Sequence, residues 1–172
     1  MLKPIINIED VSFGPTPPTF APTGPAAERF EAKTAAIGTR IGARKLGYNI
    51  TAVPPGKRAW PFHNHPAKEE MFFVLAGSGE VRIGEARYPI RTGDFIACPE
   101  GGRETAHQII NTGTEALRYL AVSAEHSLEM AQYPDSGKFA VKAELGTALD
   151  GTPQHVIFVG RETQSADFWD GE

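Results

Sequence analysis

Hydrophobic and polar positions alternate along this chain in short runs separated by glycine-rich turns. In "LGYNITAV" (46–53), Leu46, Tyr48 and Ile50 alternate with Gly47, Asn49 and Thr51. "GEVRIGE" (79–85) sets Val81 and Ile83 against Glu80 and Arg82. "EMFFVLAG" (70–77) is a continuous apolar run closed by glycine. "RYPIRTGDFIACPEGG" (87–102) holds two more runs around a Thr-Gly-Asp turn, and "HQIINTGTEALRYLAVS" (107–123) reads as strand, turn, strand. A period of two over short runs is the signature of a strand. Many such strands at this spacing predict an all-β sandwich or barrel. Helical periodicity is absent before residue 124, and "EHSLEMAQY" (125–133) predicts one short helix. "YPDSGK" then makes a turn, and "HVIFV" (155–159) is a late strand.

The first thirty residues break this pattern. Pro15, Pro17, Pro18, Pro22 and Pro25 exclude regular helix and central strand. Ile5, Ile6, Val11, Phe13 and Phe20 are more apolar than a disordered arm needs, so an extended strap over the body is expected. The chain divides into a proline-rich arm (1–30), a barrel (31–124) and a C-terminal extension (125–172) whose late strand packs on the barrel. In the terminal "DFWDGE", Phe168 and Trp169 are expected to dock on the barrel or on a partner subunit.

A length of 172 residues suits one domain with decorated ends. The net charge of −4 and the absence of a Lys/Arg cluster argue against a nucleic-acid surface. The N-terminus carries no apolar leader and no run reaches transmembrane length, so a cytoplasmic protein without membrane partners is expected. Cys98 is the single cysteine, which fits a reducing compartment, and its apolar setting predicts a buried, inert thiol.

The candidate chemistry lies in "PFHNHPAKEE" (61–70). On a strand, His63 and His65 point the same way, about 6.6 Å apart. Glu70 opens the next strand and shares a face with Phe72 and Val74; His107 opens another and shares a face with Ile109 and Asn111. Three imidazoles and one carboxylate at the ends of three strands suit a borderline divalent ion: iron, manganese, nickel, cobalt or zinc. Four protein ligands leave two positions open on a six-coordinate ion, as a catalytic site requires.

The spacing resembles the two motifs of the cupin superfamily. Gly56, His63-Asn64-His65, Glu70 and Gly77 match the first, with one extra residue between Gly56 and His63. Glu69 also fits the histidine spacing, but Glu70 alone leaves six residues before Gly77. Gly93, Pro99-Glu100-Gly101, His107 and Asn111 match the second, with three extra residues before His107 that fall at the rim of the site. Together with "YPDSGK" and "DFWDGE", these stretches are similar to a group of small bacterial single-domain cupins without a settled activity. The resemblance implies a double-stranded β-helix (jelly-roll) barrel, a metal in its mouth held by His63, His65, Glu70 and His107, and a homodimer.

Phe72, Val74, Ile109 and Trp60 are expected to line the pocket beside the metal, and Asn111 to cap a turn. Arg82 and Arg118 are solvated strand residues that could reach a substrate anion, and His126 and His155 have no evident partners. Three functions fit a small-molecule ligand here: a metal-dependent oxygenase, which is favoured; a sugar or oxo-acid isomerase, epimerase or lyase; and a non-catalytic binding module. The ligand face looks poor in acid/base groups, which disfavours the second.

Overall fold

The computed structural model describes residues 3–148 and 150–172; Met1 and Leu2 of the arm, and Leu149, lie outside them. Its twelve strands are β1 (Gly14–Pro15), β2 (Lys33–Ala36), β3 (Leu46–Val53), β4 (Glu70–Ala76), β5 (Ser78–Ile83), β6 (Ala86–Arg91), β7 (Phe95–Cys98), β8 (His107–Ile110), β9 (Leu117–Ala124), β10 (Leu128–Tyr133), β11 (Lys138–Thr147) and β12 (Pro153–Gly160). They form a six-stranded sheet in the order β1-β2-β3-β9-β4-β7, a three-stranded sheet β6-β5-β8, and a second three-stranded sheet β10-β11-β12. All pairings between these strands are antiparallel. Among the described residues no helix is long and apolar enough to cross a membrane.

The first two sheets close on a core that includes Val53, Phe72, Val74, Val81, Ile96, Ile109, Leu117 and Tyr119. Burying each such apolar side chain stabilises the fold by about 1.5–3 kcal/mol. Strand β3 alternates as its sequence requires, but with its polar members inward: Thr51 is 1% exposed, and Asn49 and Thr51 line a cavity in the barrel mouth. Tyr48 and Ile50 face the outer side of the six-stranded sheet, where Ala35, Ile37 and Ile50 form a second apolar cluster. Ile6, Val11 and Phe13 of the arm pack against it. The arm is therefore a strap, and its Gly14–Pro15 segment extends the sheet edge by pairing with β2.

Two tight approaches explain motif glycines. Gly77 has φ +83°, and a Cβ there would sit 2.8 Å from Ala116 O. Gly101 has φ +152°, and its amide donates to His65 O at 3.0 Å. The three extra residues after it form a closed turn, with Thr105 Oγ1 donating to Gly102 O at 3.0 Å, and the chain returns to place His107 at the start of β8.

The region 125–133 corrects the expectation of a helix. Leu128–Tyr133 is strand β10, paired along its whole length with β11. Its alternation explains why: Glu129, Ala131 and Tyr133 turn toward the barrel cavity, whereas Leu128 and Met130 are 68% and 37% exposed. Nine residues carry too few periods to separate a helix from a strand, and pairing with β11 decides between them. In the tail, the barrel half of the expectation is corrected. Phe168 and Trp169 are 83% and 73% exposed and stack edge to face on each other, with centroids 5.0 Å apart, instead of docking on the barrel.

Candidate metal centre

The two histidines of the His63-Asn64-His65 segment are held from behind by the residue between them. His63 forms an isolated antiparallel bridge with His107, and Asn64 forms one with Gln132 of β10. The amides of His63 and His107 donate to each other's carbonyls at 3.1 and 2.7 Å. Asn64 points the opposite way from the imidazoles and is 1% exposed. Its Nδ2 donates to Gly101 O and to Gln132 Oε1, both at 2.8 Å. Glu70 opens β4 opposite Cys98 of β7 and Ser123 of β9, while Glu69 is exposed to solvent.

All three histidines approach one oxygen of Glu70, but His65 stands outside the tight group that the other three residues form. Glu70 Oε2 lies 3.2 Å from His107 Nε2, 3.5 Å from His65 Nε2 and 4.0 Å from His63 Nε2. His63, Glu70 and His107 form a group that could hold a metal ion, each offering an atom within 4.8 Å of the others. His63 Nδ1 faces Pro61 O at 2.8 Å and His107 Nδ1 faces Thr105 O at 3.4 Å. A carbonyl only accepts, so His63 Nδ1 carries hydrogen in its contact and Nε2 keeps its lone pair when that ring is neutral; His107 also meets Glu70 Oε2 through Nε2 at 3.2 Å, so its hydrogen can sit on either nitrogen.

His65 differs. It is buried, and neither ring nitrogen meets a partner in hydrogen-bonding geometry. An unpaired buried ring nitrogen is costly whether it carries hydrogen or a lone pair; a cation beside the deprotonated Nε2 would remove that cost. Three imidazoles and one carboxylate with a free, buried nitrogen fit a borderline divalent ion.

Electrostatics follow from burial and proximity. Burial, reinforced by His107 and His65, pushes His63 down to about 3. Burial also disfavours charge on His65, but the flanking carboxylates of Glu129 and Glu70 outweigh it and raise the ring to about 9. Glu70 is opposed by burial yet held well below the usual carboxylate range by His107 and His65. Cys98 is buried behind Glu70, and burial pushes its thiol up to about 12.

A cavity of about 350 Å³ opens beside the four side chains. Trp60 and Phe72 line it together with Phe20 from the arm. Val74 and Ile109 do not: they are 0% and 5% exposed and belong to the core beneath, because the barrel narrows there and side chains fill it. Arg82 is tied to Asp135 at 2.7 and 3.1 Å and lies over the Phe62 ring, while Arg118, His126 and His155 are exposed. Asn111 is fully buried and caps its turn, with Nδ2 donating to Val53 O and Glu115 O at 2.8 Å.

Three residues at the site were not singled out from sequence. Lys68 is 9% exposed, and its Nζ lies 3.2 Å from both oxygens of Glu129 and 3.7 Å from Glu70 Oε1. Glu129 Oε1 lies 3.3 Å from His65 Nδ1. Tyr133 stacks near His63, with centroids 6.2 Å apart. Glu129 and Tyr133 belong to the stretch read as a helix, where no strand alternation was sought.

The comparisons agree with this architecture. The cupin domain family matches residues 49–123. Protein SchB of Streptomyces halstedii is 31% identical over 113 residues, covering 66% of this chain and 76% of its own. A solved structure from Acidithiobacillus ferrooxidans, provisionally named a sugar phosphate isomerase, is 28% identical with a TM-score of 0.62, covering 73% of this chain and 76% of its own. A sugar phosphate isomerase of the cupin superfamily from Silicibacter pomeroyi superposes over 97% of this chain and 98% of its own, with a TM-score of 0.75 at 20% identity, which shows a shared fold. Jelly-roll sheets, both histidine motifs in order, and a relative spanning most of its own length place this chain in the cupin superfamily.

Proposed function

We propose that this chain is a metal-dependent enzyme of the oxygenase type acting on a small, largely apolar molecule, with His63, His65, Glu70 and His107 as the ligands of one divalent transition ion. The observation that carries the reading is the convergence of three imidazole Nε2 atoms on one carboxylate oxygen, one of them buried and unpartnered. Such an ion, when bound, supplies Lewis-acid and one-electron chemistry that no protein side chain offers. The chain's own residues do the rest. Pro61 O and Thr105 O fix two of the rings, Trp60 and Phe72 wall the cavity, and Lys68 holds Glu70 from the outside. Among the described residues no arginine lines the cavity; its cations are Lys68, which faces Glu129 and Glu70, and Lys142.

A second reading is an isomerase or lyase. The Lys68–Glu129 pair and Tyr133 all line the cavity, so groups able to move a proton are present where few were expected. The two are separated by elemental analysis of the purified protein and by oxygen uptake. Bound iron together with oxygen uptake on adding an aromatic acid or phenol supports the oxygenase. Zinc, manganese or nickel without uptake, but with a substrate proton exchanged into deuterated water, supports the isomerase or lyase. Protein that takes up no transition metal overturns both.

We also propose that the protein acts as a homodimer. Leu128, Met130, Val156 and Phe158 crowd one face of the β10-β11-β12 sheet, between 37% and 68% exposed, and a second copy would cover them.

A further inference from the structure

Each imidazole of the metal centre is backed on its Nδ1 side, and the third backing group is of a different kind. Behind His63 stands Pro61 O and behind His107 stands Thr105 O, both neutral carbonyls from the residue two before. Local chain geometry delivers those two. Behind His65 stands a carboxylate, Glu129 Oε1 at 3.3 Å, from a strand of a separate sheet 64 residues away in sequence.

Glu129 is also one corner of a closed ring of contacts. Its oxygens lie 3.2 Å from Lys68 Nζ; Lys68 Nζ lies 3.7 Å from Glu70 Oε1; Glu70 Oε2 lies 3.5 Å from His65 Nε2. Lys68 therefore faces both carboxylates, and the outward oxygen of Glu70 is occupied while the inward one faces the imidazoles. All four members are partly or fully buried, with side-chain exposures between 7% and 17%. At that depth a charge–charge contact is weakly screened.

We propose that Glu129 is a positioning residue of the metal centre, accepting from His65 Nδ1–H so that Nε2 is turned toward the ion, and that the C-terminal sheet is thereby coupled to metal occupancy. This rests on the assignment of His65 as a ligand. His65 Nδ1 lies within reach of Glu129 Oε1 but out of hydrogen-bonding alignment with it. A cation at Nε2 would favour hydrogen on Nδ1, and a carboxylate acceptor there would orient the ring and raise the basicity of the ligating nitrogen. The coupling follows because β10 meets the barrel at few polar points: the Asn64–Gln132 bridge, Glu129 with His65 and Lys68, and Arg82 with Asp135 beyond its end.

The test uses cobalt(II) with the full chain, read by its visible absorption, its affinity by competition with a chelator, and amide hydrogen exchange of 128–133. The parent is expected to bind cobalt and to slow exchange across β10. Glu129→Ala is expected to bind about 10–100-fold more weakly, with altered cobalt bands and no slowing of β10. Glu129→Gln keeps an acceptor and recovers part of the loss. Arg82→Gln loosens the same sheet at its other tether without touching His65, and is expected to keep parent affinity. Should Glu129→Ala bind as the parent does, or should Arg82→Gln weaken cobalt equally, the positioning role is overturned while the metal site stands. Should the parent bind no cobalt, the site assignment fails and this inference with it.

Discussion

Replacing Asn64 tests whether the segment carrying both histidines is held by hydrogen bonds or by shape. Its Nδ2 makes two donations at 2.8 Å, to Gly101 O and Gln132 Oε1, in a position 1% exposed. Each such bond is worth about 1 kcal/mol net, and each acceptor stranded in the interior adds about 1–3 kcal/mol. Asn64 Oδ1 has no partner, so its removal returns part of that loss. Asn64→Ala is therefore expected to destabilise the fold by about 2–4 kcal/mol. For a domain of this size, a 3 kcal/mol loss is about 6–12 °C in Tm. Asn64→Asp sharpens the test, because it keeps the shape but turns a carboxylate oxygen toward Gly101 O, which cannot donate. It is expected to lose at least as much as Asn64→Ala above pH 6. Urea unfolding and calorimetry on metal-free protein give both numbers. Asn64→Asp within 1 kcal/mol of the parent would refute the reasoning, since packing volume alone would then hold the segment.

Glu70→Ala and His107→Ala are expected to abolish tight cobalt binding while Glu69→Ala keeps it, read by equilibrium dialysis; the reverse pattern for the two glutamates would reassign the carboxylate. Cys98 sits at 1% exposure with its thiol raised from 9.0 to about 12, so iodoacetamide at pH 8.5 is expected to label it only after unfolding, by intact mass. The sign follows: above pH 9.0 the unfolded thiol releases its proton while the folded one keeps it, so this residue makes stability fall as pH rises toward about 12. Light scattering on a size-exclusion column is expected to report twice the chain mass of 18.6 kDa, and the double variant Met130→Glu, Phe158→Glu to report one; a monomeric parent would remove the dimer.

Much of the barrel was legible because alternation is a local property. Strands β4, β5, β7, β8 and β9 lie where period-two runs and turn residues put them. The histidine spacing likewise singled out His63, Glu70 and His107, whose ligand atoms lie within 4.8 Å of one another, since parity on a strand fixes the face and the flanking glycines fix the turns. Asn111 was read correctly as a cap for the same reason: two of its bonds, with Gly113 N and Glu115 O, lie within four residues, while the third, to Val53 O, comes from β3 and was not legible.

What the sequence by itself determined is the set of faces: His63 with His65, Glu70 with Phe72, and the proline breaks that make the first thirty residues a strap. Tertiary structure alone decided which face looks inward, so that Asn49 and Thr51 point into the barrel while Ile50 lies under the arm. It also decided that 128–133 pairs as a strand, that Val74 and Ile109 are sealed below the cavity, and that Glu129 arrives behind His65. The physical reason is common to these cases. Parity and turn preference act between residues a few positions apart, whereas burial, pairing and charge contacts depend on neighbours brought together only when the sheets close.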